Sequence, residues 1–185
     1  MVMDIALLWD SKLLMERYIA EHVPSSARIE PLVLASPFAP RAKVLIIPTG
    51  FAEPKYTKIG GQLSRLKGVF TSFVERGGVL VVFGALRSTR LEFLPEPIEY
   101  VSKYGARNLR FEDGACQIVD EVHAECDGYL LPEKKSGWRV LCRDEFEKIV
   151  TASLEHGRGV VIATTIHELP SPAFLRCIVE RSQMG

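Results

Sequence analysis

The chain has 185 residues, 47% of them apolar, and 23 basic side chains balance 23 acidic ones for a formal charge of zero. This size and composition fit one folded domain over residues 1–185 and exclude a disordered chain. The charge balance excludes a broad basic surface, so nucleic acid is not an expected partner. No apolar run reaches the roughly 20 residues needed to span a bilayer, so no membrane partner is expected. The opening MVMDIALLWDSK has acids on both sides of a short apolar run and no basic leader, which reads as a cytoplasmic protein without a signal peptide.

Ile5 to Trp9 has the length of a buried strand. Asp10 or Ser11 then offers a helix N-cap, and Leu13, Leu14, Tyr18, Ile19 and His22 form a helical stripe that Pro24 ends. Ile29 to Leu34 reads as a second strand, placed at a sheet edge by Pro31. Val44 to Ile47 is a third, followed by a polar loop over 53–61 in which Tyr56 and Lys58 could cover a cleft. Leu63, Leu66, Phe70, Phe73 and Val74 recur at helical spacing until Gly77-Gly78. The run Val79 to Phe83 is a fully buried strand that ends in a sharp turn, Gly84-Ala85-Leu86-Arg87-Ser88.

From Leu91 to Cys142 the pattern is broken by prolines and glycines and reads as short strands and loops. Lys148–Leu154 and Gly159–Ile166 flank a hairpin turn, and the second strand delivers His167-Glu168 at its end. Ser171-Pro172 forms an N-cap and N1 pair for a last helix whose inner face is Phe174, Leu175, Ile178 and Val179. Of the four cysteines, Cys116, Cys126, Cys142 and Cys177, none forms a C-x-x-C pair. A zinc set of Cys116, His123 and Cys126 lacks a fourth ligand at matching spacing, so reduced thiols, no metal and no cofactor are expected. Neither Gly60-Gly61 nor Gly77-Gly78 has dinucleotide-binding spacing.

Three stretches, LIIPTGFAE, FVERGGVLVVFGALRS and EHGRGVVIATTIHELP, resemble in order and spacing the class I glutamine amidotransferase-like superfamily. The resemblance implies a flavodoxin-like α/β fold. It would be a three-layer sandwich with a mainly parallel central sheet, a short antiparallel excursion at about 91–142 and a C-terminal hairpin. It also implies an oxyanion loop at Pro48-Thr49-Gly50, where Thr49 replaces the first of two glycines, a nucleophile elbow centred on Leu86, and His167 as base with Glu168 as its orienter. In enzymatic members the nucleophile is a cysteine. A leucine has no lone pair with which to attack a carboxamide, so glutaminase activity is not expected.

The implied site is Gly50, Phe51, Ala85, Leu86, Arg87, Ser88 and His167. Ser88 or Thr89 could supply an unusual nucleophile, and Arg87 and Arg90 could meet an anion. The leading expectation is a non-catalytic domain that binds a small polar metabolite or a partner subunit over the carboxyl ends of its strands. A homodimer is compatible with the sequence. The alternative is a hydrolase or isomerase for a small polar or sugar-like substrate, using His167 with Glu168, Ser88 or a metal.

Overall fold

The computed structural model describes residues 2–112 and 116–184. In chain order it contains β1 (Met3–Leu8), α1 (Leu14–His22), β2 (Ser26–Ile29), a 3-10 segment (Pro31–Ala35) and β3 (Ala42–Ile47). Next come α2 (Gly60–Leu63), a 3-10 turn (Ser64–Leu66), α3 (Lys67–Glu75), β4 (Val79–Val82), β5 (Thr89–Arg90) and β6 (Glu99–Phe111). The chain closes with β7 (His123–Leu131), β8 (Arg139–Asp144), β9 (Ile149–His156), β10 (Gly159–Thr164) and α4 (Pro172–Arg181). The strands form one sheet in the order β2-β1-β3-β4-β10-β9-β7-β6-β5, with β8 pairing both β6 and β9.

The first part of that sheet is parallel, from β2 through β1, β3 and β4 to β10. Residue parity along these strands decides which core each side chain joins, because successive side chains point to opposite faces. Ala6, Leu8, Leu45, Ile47, Leu80 and Val82 pack with Phe70, Phe73 and Val74 of α3. Ile5, Leu7, Val44, Ile46, Val79 and Val81 pack instead with Met15 and Ile19 of α1 and Phe174, Leu175 and Ile178 of α4.

The remaining pairings are antiparallel, and β6, β7, β9 and β8 close on one another as a small barrel. The expected flavodoxin-like three-layer sandwich with a mainly parallel sheet is therefore corrected. Among the described residues six strand pairings are antiparallel and four parallel, and the protein is mostly β. The helix-strand rhythm that suggested the sandwich stops at β4. Beyond it the strands follow one another without intervening helices and pair with one another antiparallel, and only β10 returns to lie parallel to β4.

The stretch expected to be short strands instead holds β6, with 13 residues, and β7, with nine. Their inward positions include Ala124, Cys126 and Gly128, small residues that leave little hydrophobic alternation to read.

Local signals have mixed fates for visible reasons. The Ser171 hydroxyl accepts the Phe174 N–H at 3.1 Å with Pro172 in the first helical turn, as expected for that cap. α1 begins later than its sequence signal. Asp10 is used elsewhere, accepting the Lys58 N–H at 2.8 Å, and Leu13 occupies the cap position with no side-chain bond. The strand expected over Ile29 to Leu34 does not form: the edge strand β2 lies before it, at Ser26–Ile29, and Pro31 opens the 3-10 segment over most of the expected range.

The expectation of reduced cysteines is corrected for one pair. Cys116 and Cys177 form a disulfide, with Cα atoms 5.6 Å apart, that ties the segment before β7 to α4. Cys126 and Cys142 remain free and buried, and burial pushes both thiols up to about 12, the range of inert core cysteines. The disulfide spans 61 positions, so on the chain-entropy account its loss costs about 4 kcal/mol. Urea denaturation with and without reductant should show this difference for the wild type. A Cys177→Ser variant should be insensitive to reductant. Equal wild-type midpoints in both conditions would show that the cross-link carries no stability.

Candidate functional site

The turn after β4 brings the expected site residues together. Gly50 sits at φ +87°, and its N–H donates to the Gly84 carbonyl at 2.7 Å. A Cβ at Gly50 would lie 3.3 Å from both Leu86 Cδ1 and Tyr56 Cδ2, so the loop after β3 rests on the turn after β4. Leu86 is half-buried at φ +61°, a left-handed conformation uncommon for a residue without a stabilising side-chain hydrogen bond. Ala85 and Phe51 are buried, and Phe51 meets the Phe93 ring edge-on at 5.7 Å.

Beyond this turn the chain departs from a nucleophile elbow. No helix starts there, and the chain enters β5, which pairs with β6. The Ser102 hydroxyl donates to the Leu86 carbonyl at 3.1 Å, and the Ser102 N–H donates to Ser88 Oγ at 2.9 Å. Ser88 is thus engaged in holding the turn. Arg87 is exposed. Arg90 is surrounded by Glu92 at 2.8 Å, Glu99 at 3.2 Å and Glu133 at 2.7 Å, which leaves it little charge to offer an anion.

His167 leaves the end of β10, and its Nδ1 lies 2.7 Å from Asp127 Oδ1 on β7. The sequence resemblance gives the orienting role to Glu168. Glu168 Oε1 instead accepts the backbone N–H of Glu125 at 3.0 Å, and the carboxylate at the ring is Asp127. Asp127 is 1% exposed and packs directly against Gly84, where a side chain would collide with its carboxylate. That contact places the dyad beside the elbow. Asp127 Oδ2 and the Tyr100 hydroxyl are buried without a hydrogen-bond partner of good geometry among the described residues.

Burial pushes the Asp127 carboxyl above the ordinary carboxylate range, and the His167 contact offsets only part of that shift. Burial raises the Tyr100 phenol, and Asp127 raises it further. Tyr104 stands edge-on to the His167 ring at 5.8 Å and bonds through its hydroxyl to Glu125, which raises the Tyr104 phenol.

The site can therefore present an imidazole rather than a nucleophile. An ionised Asp127 fixes a proton on His167 Nδ1 and leaves Nε2 with a lone pair, able to accept a hydrogen bond or a proton. A cavity of about 440 Å³ is lined by Phe51, Thr57, Lys58, Thr89, Arg90 and Phe93 among others, and neither Leu86 nor His167 lines it. Among the described residues no three His, Cys, Asp or Glu side chains converge to hold a metal. The zinc set considered from sequence is also dismantled by the disulfide at Cys116. The sequence signal for Asp127 was a carboxylate between small residues, Cys126-Asp127-Gly128, inside a strand where Asp is normally depleted.

No protein-family model matches the chain, and no curated protein matches it. Solved structures do share its fold. A GMP synthase-like protein from Thermoplasma acidophilum superposes with TM-score 0.60 at 8% identity, over 97% of this chain and 93% of that one. A ThuA-like protein from Bacteroides uniformis gives 0.55 at 9% identity, over 97% and 87%. A beta-galactosidase from Rahnella sp. R3 gives 0.58 at 13% identity, over 97% of this chain but 30% of that one. The chain thus spans about a third of the length of the glycosidases it matches. The first two structures are the counterparts of the amidotransferase-like resemblance seen in the sequence, at identities that carry the fold alone. Among the described residues no helix is long and apolar enough to cross a membrane.

The raised Asp127 carboxyl has a signed consequence. Folded protein holds this proton to higher pH than unfolded protein, so this group's contribution to stability falls as pH rises from the unfolded value through the folded one. Asp127→Asn should remove that fall and leave stability at pH 7 unchanged or higher, read by thermal denaturation from pH 3 to 8. A variant less stable than wild type at pH 7 would show that the His167 contact outweighs the burial penalty.

Proposed function

We propose that this chain is a non-catalytic domain of amidotransferase-like fold that binds a small polar metabolite or a partner subunit over the carboxyl ends of its parallel strands. The observation that carries this reading is Leu86. It stands in the left-handed turn where the resemblance expects a thiol, and its side chain packs against Gly50. A hydrocarbon there supports no covalent acyl intermediate. The strand that replaces the elbow helix also removes the helix N-terminus that would stabilise an oxyanion. Recurrence of the fold as about a third of longer glycosidase chains is consistent with a binding or scaffolding role. A homodimer would be one form of partner.

The Asp127–His167 contact favours a second reading, an enzyme of different chemistry in which His167 Nε2 removes a proton from a small polar substrate. The carboxylate-oriented imidazole is the arrangement such a base requires. In this reading Asp127 is a positioning residue and Leu86 is a wall of the site.

Purified protein should release no ammonia from glutamine above background. Glutamine-dependent release abolished by His167→Ala would overturn the non-catalytic reading. A Leu86→Cys variant should react with iodoacetamide at pH 7 faster than the two buried thiols, and at least threefold more slowly once His167→Ala is added. Equal rates in the single and double variants would show that His167 does not activate the elbow position.

A further inference from the structure

The amino ends of the parallel strands carry a second feature, remote from the turn after β4. Arg41 precedes β3, Arg76 caps the carboxyl end of α3, and Arg158 lies in the turn between β9 and β10. All three line one cavity of about 500 Å³, completed by Val2, Gln183 and Met184. A neighbouring cavity of about 300 Å³ shares Arg158 and Gln183 and adds Arg181 together with Glu155.

Among the described residues no acidic side chain pairs with these three arginines. Arg17, Arg28, Arg90, Arg107, Arg110, Arg143 and Arg181 all face carboxylates within ion-pair distance. Among the described residues Arg41, Arg76 and Arg158 have no ion pair, and no carboxylate lines the larger cavity. Of the carboxylates nearest in sequence, Glu155 pairs with Arg181 at 3.7 Å and Glu75 lies 3.4 Å from His156, a contact that is an ion pair only when the imidazole is protonated.

Among the described residues the Arg76 guanidinium bonds to the Ser72 hydroxyl, and that of Arg158 to the Arg76 carbonyl at 3.0 Å. Both bonds orient a guanidinium without neutralising it. Favourable contact with the α3 macrodipole accounts for Arg76 but not for Arg41 or Arg158, which belong to other segments. One wall is fixed, since the Gln183 N–H donates to the Gly77 carbonyl at 2.9 Å and the Ser182 hydroxyl donates to the same oxygen at 3.1 Å.

We propose that this arginine-lined cavity is a binding site for a small phosphate-bearing compound. The three arginines are exposed and line one space, so a multiply charged anion can meet more than one guanidinium where a monoanion meets one. Guanidinium forks match phosphate oxygens in pairs, and the volume falls in the range of small-molecule sites. A nucleic-acid strand is disfavoured by the zero net charge and by the compactness of the cluster, which is a cavity rather than a track. The site is independent of the strand-end reading proposed above and stands or falls separately.

Calorimetric titration with inorganic pyrophosphate tests it. The wild type should bind saturably with one site and melt at a higher temperature when loaded. Arg41→Gln, Arg76→Gln and Arg158→Gln should each weaken binding at least fivefold, and Arg65→Gln, an exposed arginine on another segment, should leave it unchanged. Thermal melts of the unliganded variants establish that each is folded. Three outcomes would overturn the proposal. These are binding retained by the triple variant, an effect on melting no larger than that of sodium chloride at equal ionic strength, or acetate binding as tightly as pyrophosphate. A 20-nucleotide RNA that bound more tightly than pyrophosphate would overturn the small-molecule assignment in favour of a polymer.

Discussion

The structure depends on one strand serving two architectures. β10 pairs in parallel with β4 on one side and antiparallel with β9 on the other. Without it the parallel part would end at β4 with an exposed apolar edge, and the barrel strands would have no attachment to it. β10 must therefore be apolar on both faces, and Val160, Val161, Ile162 and Ala163 are all buried. The same strand sets both ends of the molecule. Arg158 precedes its first residue and His167 lies beyond its last, so the features at opposite rims of the sheet are held at a fixed separation by a single run of chain.

The parts of the fold legible in the sequence are those built from local or strongly periodic signals. The apolar runs at β1, β3, β4 and β10 are long enough to be buried on both sides. The Ser171-Pro172 cap and the stripe of α3 state their helices directly. The features that the sequence concealed depend on distant partners. β6 and β7 owe their length to each other and to closure of the barrel, and Ala124, Cys126 and Gly128 supply that closure with little hydrophobic signal. The disulfide was hidden for a related reason, since 61 positions separate its halves and no spacing rule joins them.

The turn and the histidine were legible in the sequence, whereas the carboxylate that bonds the ring, Asp127 rather than Glu168, was not. Asp127 comes from a strand 40 positions away, and its neighbour in space, Gly84, is distinguished only by lacking a side chain. The arrangement has an electrostatic logic. A carboxyl buried against a glycine backbone has lost its water, and its partner among the described residues is an imidazole that is itself partly open to solvent. Such a pair contributes less to stability than its short contact suggests. The exposed Tyr104 and Tyr56 rings flank this surface and offer aromatic contact area around it.

The Cys116–Cys177 bond also changes what mechanical tension could do to the molecule. The ring it closes contains β7, β8, β9 and β10 together with both Asp127 and His167, whereas the turn at Gly84–Ser88 lies outside it. A chain pulled from its two ends would unravel β1 to β4 and the elbow. The 61 positions inside the ring, about 200 Å of extended contour, would stay withheld from the extension until the sulfurs were reduced. Under load the imidazole and its carboxylate would remain covalently corralled together while the turn that faces them was drawn away.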